Sequence, residues 1–152
     1  ANVDPALLKK SPFDLSGGQK RRVALAGVIA MRPEILILDE PAAGLDPGGR
    51  REILGGVKRY ARDSGSNVIF VSHSMEDMAM YCDELVVMTA GRVFLHDKLG
   101  PVFSRAADLI AVGLDVPQIT RVALALRERG IDIGADVYTV EWATERLAEV
   151  LR

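Results

Sequence analysis

The sequence predicts an α/β fold: a parallel βαβ core, a helical region with a glycine-rich start ahead of it, and a small C-terminal helical extension. Three observations predict it. Two short apolar runs, "ILIL" (35–38) and "NVIFVS" (67–72), have the unbroken hydrophobicity of strands buried on both faces. Between them, residues 47–63 carry apolar side chains at helical spacing. From about Lys98 onward the pattern is helical. The chain's 152 residues, 49% hydrophobic and 26% charged, suit one domain with a small appendage and exclude a disordered chain.

The elements follow in order. Residues 1–14, with Pro5 and Pro12, form a short approach segment. "DLSGGQKRRVALAG" (14–27) then opens a helix over 16–31. Ser16 and Gln19 have the spacing of a capping box, with Ser16 as N-cap and Gln19 as N3. Val23, Ala26, Gly27, Ala30 and Met31 are expected on its apolar face. Pro33 ends it, and the strand 35–38 follows. The helix 47–63 has Pro47 at its first position and Gly65 just past its end, with Ile53, Leu54, Val57, Tyr60 and Ala61 facing inward. Strand, helix and strand in this order make a crossover unit with parallel strands. A short helix at 75–82 precedes "ELVVMTAGRVFLHD" (84–97), two strands around a turn at Gly91.

A domain boundary is expected near 97, giving portions 1–97 and 98–152. In the second, Asp115, Pro117 and Gln118 start a helix ending by Gly130, and Thr139 starts another that runs to the C-terminus. Ile119, Val122, Ala123 and Leu126 share one stripe, and the last helix adds Trp142, Leu147 and Val150. Such stripes pack on their own chain or on a second copy.

A net charge of −2 argues against a general nucleic-acid binder. The single cysteine, Cys82, has no partner for an internal disulfide and reads as a small buried hydrophobe. No apolar run reaches the roughly 18 residues of a membrane span.

Two stretches carry chemistry. With no Cβ at Gly17 and Gly18, the first-turn N–H groups lie open to a close visitor. A helix start offers unpaired donors and the positive end of the macrodipole, and phosphate is the usual occupant. "ILILDEP" (35–41) sets Asp39 and Glu40 at the carboxyl end of a strand, the edge of a parallel sheet where ligands bind. One carboxylate can hold Mg²⁺, and the other can orient or deprotonate a water. His73 ends the second strand at the same edge, where a neutral imidazole can donate to a γ-phosphate or to the attacking water. His96 reads as structural.

Taken in order, "LSGGQ" (15–19), "ILILDE" (35–40), "AGLD" (43–46) and "SH" (72–73) resemble the signature, Walker B, D-loop and switch histidine of an ATP-binding cassette (ABC) ATPase, covering residues 11 to about 97. The flank "SPFDLSGGQKRRVALAGVIAMRPEILILDEPAAGLDP" is similar to the ATPase subunit of energy-coupling factor (ECF) transporters, importers of vitamins and of cobalt or nickel ions. The tail after 98 is similar to the C-terminal extension of those subunits, a candidate dimerisation module.

The resemblance implies a fold and a set of roles. The fold is the C-terminal part of a P-loop NTPase. Ser16, Gly17, Gly18 and Gln19 act in trans on the γ-phosphate of ATP held by a second ABC ATPase subunit, identical or paralogous. Asp39 holds Mg²⁺ through water, Glu40 is the general base, and His73 senses the γ-phosphate. Leu45 and Asp46 connect the two sites. The implied partners are a transmembrane coupling protein and a substrate-binding membrane protein, with no nucleic acid. The implied location is cytoplasmic, peripheral on the inner face of the cell membrane.

Two departures stand out. No G-x-x-x-x-G-K-[ST] phosphate loop occurs in the 152 residues. The chain is therefore expected to be a fragment, inactive alone, of a longer ATPase. Ala42 stands where many relatives have threonine. Two other readings are a DNA-handling ABC-type ATPase and a non-catalytic assembly fragment. The first lacks heptad arms here, and the second does not explain why Glu40, His73 and the signature are all kept.

Overall fold

The helix announced by Ser16 and Gln19 forms over Gly17–Ala30 (α1). The structure, a computed structural model, describes residues 4–151 without the side chain of Leu8. Two 3-10 turns, Pro5–Lys9 and Pro12–Asp14, lead into α1, each with a proline in its first turn and a side-chain cap, from Asp4 and Ser11. Strand β1 (Ile35–Asp39), helix α2 (Pro47–Ser64) and strand β2 (Asn67–Val71) follow. Pro47 opens α2, and Gly65 closes it at φ +71°, a left-handed C-cap that glycine takes without penalty. The strands pair in parallel, from Ile35 opposite Asn67 to Asp39 opposite Val71.

The chain divides into two compact units, one up to His73 and one from Ser74 on. The first is built on Leu25, Ile53 and Val57, with Ile29, Leu38, Leu45 and Val68 packed around them. Full burial of each such side chain contributes about 1.5–3 kcal/mol.

Two expectations are corrected here. The buried residue of α1 is Leu25, while Val23 and Met31 are exposed. Residues 23–30 are apolar or small without a break, so spacing alone selects no unique stripe. The strands are not buried on both faces. Leu36 is 2% exposed, but Ile35, Ile37, Ile69 and Val71 are 50–66% exposed. Among the described residues β1 and β2 pair only with each other, and the core cluster with α2 takes up Leu38 and Val68 from one face.

The second unit begins with α3 (Met75–Tyr81), N-capped by Ser74. Strands β3 (Glu84–Thr89) and β4 (Arg92–Lys98) form an antiparallel hairpin with a register break between Val87 and Met88. Its turn residues Ala90 and Gly91 have φ +47° and +73°, the left-handed pair that suits a tight hairpin. Two helices not singled out in the sequence follow, α4 (Leu99–Phe103) and α5 (Ala106–Ala111). They supply Val102, Phe103, Ala106 and Leu109, all at most 2% exposed. Since α4 lies against both strands of the hairpin, the hairpin belongs with the tail. The unit division therefore falls at His73, ahead of the composition change near 97.

Helices α6 (Gln118–Glu128) and α7 (Val140–Val150) complete the unit. Ala123, Ile133, Val137 and Ala143 form a buried cluster, joined by Ile119, Leu126, Ile131 and Leu147. Most of the apolar stripe foreseen for these helices is thus used within the unit, and Val122 and Val150 stay exposed. Thr120 donates a buried 2.8 Å hydrogen bond to the Val137 carbonyl. His96 stands 3.4 Å from the Glu84 carboxylate on the neighbouring strand. Cys82, half-buried, has its Sγ 3.5 Å from Met78 Sδ.

Candidate functional site

Strand β1 ends at Asp39, and the next residue leaves the extended region. Glu40 has φ +44°, left-handed backbone that costs a side-chain-bearing residue about 1–2 kcal/mol. Its N–H still donates to the Val71 carbonyl at 2.9 Å, so the turn is pinned to the end of β2. The turn aims the carboxylate at the exit of that strand. There it accepts from the His73 N–H at 3.0 Å, from His73 Nδ1 at 2.7 Å and from Ser72 Oγ at 3.3 Å. Asp39, exposed, is the last residue of β1 and shares the face of Ile35 and Ile37. The two adjacent carboxylates therefore diverge.

The Glu40–His73 contact fixes a tautomer. A carboxylate only accepts, so Nδ1 carries the shared hydrogen. In a neutral ring Nε2 is then an acceptor. For His73 to donate to a phosphate, the ring must be an imidazolium or must let go of Glu40. The sequence expectation of a neutral donor needs that condition added.

The hydrogen bond from the His73 ring is the largest cause holding the Glu40 carboxyl below its ordinary value of 4.5. A carboxyl depressed in the folded state contributes stability that is complete above the unfolded value and lost as pH falls through the folded one. The stability difference between the native chain and Glu40→Gln, read from urea midpoints, should therefore narrow below pH 4.5. A difference that widens on acidification would show that His73 does not hold the ionised form.

The second group lies at the start of α1. The Ser16 N–H donates to Gln19 Oε1 at 2.9 Å, and the Gln19 N–H donates to Ser16 Oγ at 3.3 Å. The capping box takes two first-turn donors, and helix geometry leaves those of Gly17 and Gly18 with no acceptor inside the helix. They border a cleft of about 490 Å³ lined by Gly17, Gly18, Lys20, Arg21, Ala24, Ala43, Gly44 and Leu45. A Cβ on Gly17 would meet nothing within 4 Å, and one on Gly18 would stand 3.3 Å from Leu45 Cδ2.

Asp46 caps α2, its Oδ1 accepting from the Gly49 N–H at 2.8 Å. Leu45 packs on the core cluster. Ala42 is 3% exposed. The structure thus assembles two groups, Glu40–Ser72–His73 and Ser16–Gly18 with Ala43–Leu45. Sequence reasoning missed Arg21, whose Nη1 donates to the Ala43 carbonyl, and Arg22, which pairs with Glu52 at 3.0 Å. Only the run of three cations, Lys20 to Arg22, hinted at them.

Among the described residues no group of three or more His, Cys, Asp or Glu side chains is placed to hold a metal ion. Mg²⁺ typically takes one or two carboxylates and completes its shell with waters and substrate phosphates. Asp39 therefore fits a Mg²⁺ that arrives with a nucleotide, and the residues do not build a resident metal centre.

A family model described as ABC transporter matches residues 2–43. The energy-coupling factor transporter ATP-binding protein EcfA2 of Symbiobacterium thermophilum is 54% identical over 149 residues, covering 98% of this chain and 51% of that protein. The protein of the same name from Clostridium perfringens is 50% identical over 143 residues, covering 94% and 50%. The chain spans about half the length of the curated relatives it matches. Among solved structures, cbiO1 from Clostridium perfringens, part of the ABC transporter complex cbiONQ, superposes with TM-score 0.62 at 37% identity, covering 81% of this chain and 48% of that one. The ATP-binding cassette MJ0796, a dimer bound to ADP and Pi, gives 0.58 at 28% identity, covering 64% and 41%.

Proposed function

This chain belongs to the ABC ATPases of the energy-coupling factor transporters, as about half the length of such a protein, and from that premise we propose that it carries half of an ATP-hydrolysing site. The observation that carries the proposal is the capped start of α1, whose Gly17 and Gly18 line a cleft. In the complete subunit, two cassettes face each other. Ser16, Gly17, Gly18 and Gln19 close on the γ-phosphate of the ATP held by the partner subunit. Asp39 would hold, through water, the Mg²⁺ that arrives with the ATP of its own subunit. Glu40 takes a proton from the water that attacks the γ-phosphorus as the bond to the β-phosphate oxygen breaks. His73 orients that carboxylate and meets the γ-phosphate once protonated or released. Leu45 and Asp46 join the two sites.

Hydrolysis would drive import of vitamins or of cobalt or nickel ions through a transmembrane coupling protein and a substrate-binding membrane protein, at the inner face of the cell membrane. The transporter names of the relatives favour this reading over a DNA-handling ATPase. No helix of the described residues is long and apolar enough to cross a membrane. Contact between two copies through 98–152 draws its support from Val122, Val140, Val150 and Leu151, which remain exposed.

The 152 residues contain no phosphate loop, so a carboxylate pair without the loop's lysine and N–H cradle should hold a triphosphate poorly. Calorimetric titration of the isolated chain with MgATP should give a dissociation constant no tighter than about 1 mM, roughly −4 kcal/mol, and no turnover above background. A micromolar constant would mean that other residues hold the nucleotide and would sink the half-site reading.

A further inference from the structure

We propose that Arg21 is a positioning residue that makes the start of α1 and the loop after β1 a single rigid jaw of the cleft. The proposal rests on the reading that this cleft receives a partner's nucleotide. The loop runs only from Glu40 to Asp46. It is folded by two turns of its own, Ala43 N–H to the Glu40 carbonyl at 3.2 Å and Leu45 N–H to the Ala42 carbonyl at 3.3 Å. At one end it carries Glu40, and at the other Asp46 caps α2. The middle carbonyl, that of Ala43, accepts from Arg21 Nη1.

Arg21 lies three and four residues beyond Gly18 and Gly17, so its side chain leaves the helix on the face that these two residues occupy, and all three line the cleft. The guanidinium therefore spans the cleft wall from the helix to the loop, and both lining segments are fixed by one charged donor. Arg22 makes the contrast. One position on, it turns about 100° around the helix and pairs with Glu52 of α2 at 3.0 Å, which joins two helices and leaves the cleft alone. Adjacent cations thus do different work: Arg22 holds the fold, and Arg21 holds the distance between the helix start and the loop. A jaw fixed in advance loses less freedom when the partner closes on it.

The test uses a full-length ATPase carrying this sequence, in the Glu40→Gln background so that bound ATP persists. Arg21→Gln should weaken ATP-driven association of the two subunits about tenfold, the scale of one hydrogen bond from a charged donor. ATP affinity of the separate subunit should stay within about twofold, and Arg21→Lys, which keeps charge and a donor, should recover most of the loss. With Glu40 restored, the cost should appear in KM more than in kcat. Association within about twofold of the parent, or an equal loss from Arg22→Gln, would overturn the assignment. The Gly18→Asp variant separates the two levels. If it blocks association while Arg21→Gln does not, only the role of Arg21 falls. If neither affects association, the nucleotide-cleft reading falls with it.

Discussion

A full-length ATPase carrying Gly18→Asp will bind ATP as separate subunits and will not hydrolyse it. The helix itself should tolerate the change, because an acid in the first turn complements the positive end of the macrodipole. The cleft will not. A Cβ at this position already stands 3.3 Å from Leu45 Cδ2, so the added side chain takes up room in the cleft that Gly18 lines. It then adds negative charge to the cleft that is proposed to receive a phosphate, beside the donors that the capping box leaves over. Loss of such preorganised donors costs about 10²–10³-fold in rate, and added like charge deepens the loss. The measurements are steady-state ATPase rate and nucleotide binding by dilute, unassociated subunits. If binding by the separate subunit disappears, the glycines serve their own subunit's nucleotide and the trans reading fails.

Glu40→Gln should cost about 10²-fold or more in turnover, the usual effect of losing a positioned base. The substitution is nearly isosteric. An amide oxygen in place of Oε1 can still accept from the His73 N–H and from Nδ1, bonds now of 3.0 and 2.7 Å, so the local geometry should persist. What disappears is the ability to take a proton from water. ATP binding and ATP-driven association should survive, which separates a chemical defect from a folding defect. Near-normal hydrolysis by the Gln variant would show that another group, or no group, accepts the proton.

What the sequence disclosed depended on how local each feature is. The capping box joins residues three apart, so spacing alone placed Ser16, Gln19 and the free donors between them. The Pro47 start and Gly65 end of α2 are local in the same way, and Ile53, Leu54 and Val57 are buried as their spacing required. The buried face of α1 was not legible, because an unbroken apolar stretch contains every stripe at once. The two strands read as fully enclosed because composition reports affinity for a covered surface and does not say what covers it. The Glu40–His73 contact spans 33 residues and needs both the parallel register and a left-handed turn. Arg21 was legible as a cation but not as a donor to Ala43, since the loop's path is set by tertiary packing. Helices α4 and α5 were hidden by their shortness, at 5 and 6 residues, although they hold Phe103, the largest fully buried side chain of their unit.

The left-handed backbone at Glu40 has an evolutionary consequence. Judged by conformational comfort alone, position 40 would belong to glycine or asparagine, which enter this region at little cost. Neither presents a carboxylate at the reach of Ser72 and His73. If Glu40 is the base proposed above, selection for heat resistance and selection for turnover would pull this position in opposite directions. A lineage released from the proposed role of Glu40 would be expected to drift here first, toward the residues that the backbone itself prefers.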